Sequence, residues 1–149
     1  DSNLLEIEDL QKFLLSQSQL QSLKIEYFDG NYEIFTDFFN ANVKFRLARL
    51  EIIASKDIMT PQFYKFLKVH RMSLKSFKID EIENFKILNI LSPMKNLRKL
   101  DVGIYIPIRK RKLNTMPHVE DLNLAIVDYN FCSWMGHFPN LKKIKINDR

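Results

Sequence analysis

Three histidines, one cysteine and a short cluster of carboxylates are the side chains of this 149-residue sequence whose types could carry catalysis or hold a metal. Cys132 and His137 stand five residues apart. A thiolate beside an imidazole begins a nucleophilic pair, but no third group supports it here. Zinc sites usually take four ligands at paired spacings, and a single Cys-x4-His is too little. Cys132, beside Phe131 and Trp134, reads instead as a small buried hydrophobe. His70 falls on the apolar side of a helical stripe and reads as a packed, hydrogen-bonded histidine, while His118 follows Pro117 at a turn. Asp80, Glu81 and Glu83 lie close together, and like-charged carboxylates in a loop are solvated. With no nucleophile, base and orienting group brought together, the expectation is a non-enzyme with no catalytic residue, no metal ligand and no cofactor.

Composition narrows the remaining classes. Gly30, Gly103 and Gly136 are the only glycines and lie too far apart to build a phosphate-cradling loop. One cysteine leaves no internal disulfide and fits a reducing, intracellular compartment, cytoplasmic or nuclear. No apolar run approaches the ~18 residues that span a bilayer, so no membrane partner is expected. Hydrophobic residues make up 46% and charged residues 28%, which suits a packed domain. The net charge of +5 is uneven: residues 1–74 carry nine basic and ten acidic side chains, residues 75–149 fourteen and eight. The second half could therefore attract anionic partners in a salt-sensitive way.

The elements that must position these charges declare themselves by repetition. An apolar residue, two variable ones, an apolar one, a variable one and a last apolar one recur six times. The copies are Leu20-Leu23-Ile25, Leu47-Leu50-Ile52, Leu74-Phe77-Ile79, Leu97-Leu100-Val102, Val119-Leu122-Leu124 and Leu141-Ile144-Ile146. Their first positions are 27, 27, 23, 22 and 22 residues apart, within the roughly 20–29 residues of a leucine-rich repeat. Each copy predicts one short strand with period-2 alternation, Leu23 and Ile25 to one side, Ser22, Lys24 and Glu26 to the other. One copy cannot bury its apolar face; stacked neighbours make a continuous core.

Helical spacing fills the intervals. Thr60 can cap a helix whose first turn holds Pro61 and whose apolar face holds Phe63, Phe66, Leu67 and His70. Phe35, Phe38, Phe39 and Asn42 repeat those offsets, as do Leu10, Phe13, Leu14 and Gln17, and Phe131, Trp134, Met135 and Phe138. A fourth helix is expected around Phe85, Leu88 and Leu91, and an irregular loop between Ile108 and Met116. The predicted architecture is α/β: a right-handed solenoid of about six irregular repeats over residues 1–149, with parallel strands on the concave face and helices on the convex face. The absence of a polar unit after the sixth copy predicts further repeats or a cap beyond Arg149, the chain being a fragment of a longer array.

Phe13-Leu14-Leu15-Ser16-Gln17-Ser18-Gln19-Leu20-Gln21-Ser22-Leu23-Lys24-Ile25 resembles repeats of F-box/leucine-rich-repeat proteins, and Phe138-Pro139-Asn140-Leu141-Lys142-Lys143-Ile144-Lys145-Ile146 is similar in style. The resemblance covers the repeats only; no F-box precedes them in this chain. It implies the substrate-recognition part of an SCF-type ubiquitin ligase, whose Skp-type adaptor would bind through an F-box outside this chain. The family's Asn or Cys ladder, three residues after the last framework position, is replaced by Phe28, Ser55, Ile82, Tyr105, Val127 and Arg149, so the turn backbone needs other partners.

Partner binding is expected on the solvent-facing strand positions: Arg49, Glu51, Lys75, Lys78, Arg98, Lys99, Asp101, Glu120, Asp121, Asn123, Lys142 and Lys145. There the fifth copy sets an acidic stripe between two basic ones, a pattern that selects a protein target by charge complementarity. The same charges can instead serve as a structural ladder between strands. The basic run Arg109, Lys110, Arg111 and Lys112 suits a solvated loop or a phosphate contact. It supports the alternative of an electrostatic binder of nucleic acid or anionic phosphates through the C-terminal half. Nucleic acid is the disfavoured partner, since neither a recognition-helix motif nor an aromatic RNA-binding pattern is present.

Overall fold

The computed structural model describes residues 9, 11–27, 33–54, 58–82, 86–104, 113–126 and 135–148. Helical residues 11–16 (α1) precede β1 (Ser22–Tyr27), α2 (Glu33–Asn40), β2 (Arg49–Ala54), α3 (Pro61–Val69), β3 (Ser76–Ile82), α4 (Lys86–Leu91), β4 (Lys99–Ile104), β5 (Asp121–Ile126) and β6 (Lys143–Asp148). The six strands form one sheet in sequence order, every pair parallel. The architecture is α/β, as the alternation of strand and helix spacing predicts.

Register follows the repeat. Leu23, Leu50, Phe77, Leu100, Leu122 and Ile144 lie side by side across the sheet, as do Ile25, Ile52, Ile79, Val102, Leu124 and Ile146. In each of the four inner copies all three framework residues are buried, and they share one core with the buried faces of α2, α3 and α4. The described helices thus cover one face of the sheet. Each fully buried framework side chain is worth about 1.5–3 kcal/mol of transfer free energy. The end copies differ from expectation: Ile144 and Ile146 are exposed and Leu20, Leu23 and Leu141 only partly buried, because an edge strand has a neighbour on one side alone.

Copy length sets the connection. The 27-residue intervals hold the eight and nine residues of α2 and α3, the 23-residue interval the six residues of α4, and the described part of the last one a three-residue 3-10 turn, Met135–His137. A loss of four or five residues removes more than one turn of helix. Residues 113–116 are irregular, as expected of the shortened fifth connection.

The third helix carries the clearest local reasons. Thr60 Oγ1 accepts the Phe63 N–H (3.2 Å), Pro61 opens the helix, and Phe63, Phe66, Leu67 and His70 are buried. Phe38 and Phe39 of α2 are buried too, with Phe39 centred 5.2 Å from Phe63 and 5.1 Å from Phe66. These tilted ring pairs lock α2 to α3. Phe13 corrects the expected first stripe: it is 61% exposed, and Leu14 and Leu15 pack on the core in its place. Asn42 is likewise exposed. Leu10, Phe85, Phe131 and Trp134 lie outside the described residues.

Asp80 and Glu81 are not in a loop but in the end of β3. Ile79 pairs with Val102 and Ile82 with Ile104, so these two acidic residues stand opposite Gly103 alone, a β-bulge. The extra residue turns Ile82 inward, where it is buried. A Cβ on Gly103 would lie 1.7 Å from the Asp80 carbonyl oxygen, so this backbone approach requires glycine.

Candidate functional site

The face of the sheet away from the helices gathers the expected binding residues into rows. Lys24, Glu51, Lys78, Asp101, Asn123 and Lys145 are successive partners across the six strands. Arg49, Ser76, Lys99, Asp121 and Lys143 form the row beside them. Lys75, Arg98, Glu120 and Lys142 precede their strands and are tied by a repeated backbone fork. The Ala48 carbonyl accepts N–H groups of Lys75 and Ser76 (2.8 and 3.0 Å), that of Lys75 accepts those of Arg98 and Lys99, that of Arg98 those of Glu120 and Asp121, and that of Glu120 those of Lys142 and Lys143. Arg49, Glu51, Lys78, Lys99, Asp101, Asp121, Asn123 and Lys145 therefore share the rows that alternate with the buried framework residues, while Lys75, Arg98, Glu120 and Lys142 stand one residue before their strands.

The rows are strongly cross-linked. Lys78 Nζ donates to Glu51 Oε1 (3.1 Å) and Arg49 Nη2 to Glu51 Oε2 (3.2 Å). Glu51 is consequently buried rather than offered to solvent, and the Lys78 hydrogen bond, against an opposing effect of burial, holds its carboxyl below the usual range. Glu120 receives Lys142 Nζ at 2.8 Å and lies 4.0 Å from Arg98 Nε. That lysine hydrogen bond lowers the Glu120 pKa. Lys99 Nζ stands 3.9 Å from Asp121. Farther along, Asn123 Nδ2 donates to Asp101 (2.9 Å) and Asn147 Nδ2 to Asn123 Oδ1 (2.9 Å). The acidic stripe of the fifth copy is thus met by basic neighbours on both sides. Lys75, Lys143 and Lys145 remain without an ion pair among the described residues.

A second set of side chains, not anticipated from the sequence, holds the copies in place from just before β3, β4 and β6. Asn96 Nδ2 donates to the Met72 carbonyl (2.7 Å) and Asn140 Nδ2 to the Pro117 carbonyl (2.8 Å). Ser73 Oγ donates to the Leu47 carbonyl (2.7 Å), and Arg98 Nη1 bridges the carbonyls of Lys95 (3.1 Å) and His118 (3.0 Å). Asn96, Asn140 and Ser73 all occupy the position before a framework leucine. They supply the connector backbone with partners in a chain whose expected Asn or Cys ladder is missing. The signal was present as a shared pattern, Asn96-Leu97-Arg98-Lys99 and Asn140-Leu141-Lys142-Lys143.

The remaining chemical candidates are dispersed. His70 is fully buried, stacked on Phe45 (5.7 Å between centroids) and edge-on to Phe66 (4.6 Å). Its Nδ1 accepts the Leu47 N–H (3.1 Å), so the neutral ring carries its proton on Nε2. Burial, then the Arg46 charge, lowers its pKa to about 4. Burial and Arg98 also lower the pKa of His118, at the turn after Pro117. His137 lies in the 3-10 turn, where its carbonyl accepts the Met116 N–H (2.7 Å). Cys132, Glu83 and the basic run Arg109, Lys110, Arg111 and Lys112 lie outside the described residues. Among the described residues no group of three or more His, Cys, Asp or Glu side chains is placed to hold a metal, and no helix is long and apolar enough to cross a membrane. The open face offers opposed charges and amides in fixed rows, which suits binding. No protein-family model, curated protein or solved structure matches the chain.

Proposed function

We propose that this chain is a leucine-rich-repeat solenoid acting as a non-catalytic protein-interaction module. Its charged sheet face, concave in such a solenoid, takes up the target. The observation that supports this reading is the register: Lys99, Asp121 and Lys143 stand side by side across β4, β5 and β6, with Arg98, Glu120 and Lys142 linked one residue earlier by the backbone fork and by ion pairs. A basic, acidic, basic succession of stripes fits a folded protein with mixed surface charge. Complementarity of that kind contributes choice of partner and rate of encounter more than affinity. A phosphate backbone would meet Glu120 and Asp121 in the middle of its track, which speaks against the nucleic-acid alternative.

The resemblance to F-box/leucine-rich-repeat proteins supports a narrower role, intracellular substrate recognition for an SCF-type ubiquitin ligase. The Skp-type adaptor would be bound by an F-box outside this chain.

The test compares proteins retained from a cell extract by the wild-type chain and by the Lys75→Glu/Lys99→Glu double variant, with matched thermal unfolding as the control for folding. Both side chains are exposed, so stability should change by less than about 1 kcal/mol. A partner held by the wild type and lost from the variant supports the reading. Identical retention by both proteins refutes it. For the narrower role, a Skp-type adaptor should co-purify with the protein expressed from its intact gene, and its absence removes the ligase assignment alone.

A further inference from the structure

At the end of the sheet where the strands begin, the connectors stack in the same order as the strands. The Leu47 N–H donates to His70 Nδ1 (3.1 Å), Ser73 Oγ donates to the Leu47 carbonyl (2.7 Å), and Asn96 Nδ2 donates to the Met72 carbonyl (2.7 Å). Residues 41–48, 67–75 and 92–98 are thereby brought together as one rim. No acidic residue occurs in any of these segments. Lys44, Arg46, Lys68, Arg71 and Lys95 are exposed on them, and none has an ion pair among the described residues. On the sheet face the opposite holds: Glu51, Glu120 and Asp121 each stand against cations of this chain. Val69 and Met72, 39% and 74% exposed, lie beside Lys68 and Arg71. They enter β3, which has a neighbouring strand on each side, so the ends of the sheet do not account for their exposure.

Like charges gathered on one surface repel, and an opposite charge brought to them is drawn in and held. Lys68, in the last turn of α3, also suits the helix dipole, but that role leaves Lys95 and the exposed Met72 unexplained. We propose that this rim receives an acidic segment of another protein, whose carboxylates meet Lys44, Arg46, Lys68, Arg71 and Lys95 and whose apolar side chains cover Val69 and Met72. Arg46 is pre-set for this, its Nη1 already held by the carbonyls of Val43 (3.1 Å) and Phe45 (2.9 Å). Methionine suits such a surface, since its unbranched thioether adapts to varied apolar shapes. A nucleic-acid strand would match the charge but leave Val69 and Met72 uncovered. It would also find no ring to stack on, because Phe45, Phe66 and His70 are buried. The rim is a different surface from the sheet face proposed above, so either reading can fail without the other.

The experiment titrates the 149-residue chain with a glutamate-rich fluorescent peptide interrupted by leucines, read by anisotropy. Salt is kept at about 0.15 M, where charges more than ~8 Å apart are screened. Controls are the same peptide with serine in place of leucine and a single-stranded oligonucleotide of equal charge. The leucine peptide should bind saturably and weaken about tenfold on Lys68→Glu/Arg71→Glu. Met72→Ser should weaken it several-fold, and the serine peptide should bind the wild type correspondingly less well. Lys68→Gln/Arg71→Gln should give an intermediate loss, and it covers the case in which reversal disturbs the fold. Lys99→Glu, on the sheet face, should leave binding unchanged. No saturable binding, indifference to both double variants, or equal binding of the leucine and serine peptides would overturn the proposal. So would an equal loss on Lys99→Glu, which would place the peptide on the sheet face. Tighter binding of the oligonucleotide would overturn it as well, by assigning the rim to phosphates.

Discussion

His70 joins local chemistry to stability. Its Nδ1 already accepts the Leu47 N–H, so a second ring proton would face a donor, in a site sealed by Phe45 and Phe66 and close to Arg46. The folded chain therefore refuses a proton that the unfolded chain takes up near pH 6.5, its own value falling to about 4. Above pH 6.5 neither state is protonated there, and below about 4 both are. Between those limits stability falls as pH falls, by about 3 kcal/mol in all. Urea unfolding at pH 7 and pH 4 should show this loss in the wild type. His70→Gln keeps an acceptor without the ionisation and should show correspondingly less. Glu51 and Glu120, with lowered pKa values, add a loss that sets in at lower pH, as their carboxylates protonate. That loss is common to both proteins, so the difference isolates the histidine. Parallel pH profiles would contradict this assignment.

At the scale of elements, the bulge in β3 explains a residue that alternation alone leaves unexplained. Strict alternation along β3 would send Glu81 inward and Ile82 outward. The extra residue opposite Gly103 reverses this and keeps Ile82 in the core. Gly103→Ala puts a methyl group into the Asp80 carbonyl, 1.7 Å from its oxygen, where the neighbour is backbone and cannot swing aside. It should destabilise the chain by about 1–3 kcal/mol, the usual cost of overpacking. Gly136→Ala is its control, since a Cβ there meets nothing within 4 Å. Denaturant melts of the two variants check the contrast, and equal midpoints would remove the close approach as its cause.

For the whole molecule, burial is graded from the middle of the sheet to its ends. Leu100 is inside the sheet with β3 and β5 on either side, and Ile144 holds the same framework position on the edge. Leu100→Ala should cost about 2–5 kcal/mol, the range for truncation in a packed core. Ile144→Ala, on a side chain 40% exposed, should cost clearly less, about 1 kcal/mol. Equilibrium unfolding of the two variants measures the difference. Equal losses would mean that the edge is covered in solution.

The sequence by itself determined the strands, their order of facing and the charges they display. A period of 22–27 residues and an alternating apolar pattern are local properties, readable because each inner copy buries the same three side chains. It determined the third helix as well, since Thr60, Pro61 and the Phe63–Phe66–Leu67–His70 stripe each act within a turn or two of chain. Only the tertiary structure decided which charges are left to bind. Whether Glu51 or Lys143 is free depends on neighbours in the adjoining copy, 27 residues away for Glu51 and Lys78. Lys78 encloses Glu51, and no acidic partner among the described residues reaches Lys143. It also decided the bulge, the connector clamps of Ser73, Asn96 and Asn140, and the exposure of Ile144 and Ile146. Each of these follows from one copy lying against another, a distance in space that no spacing along the chain contains.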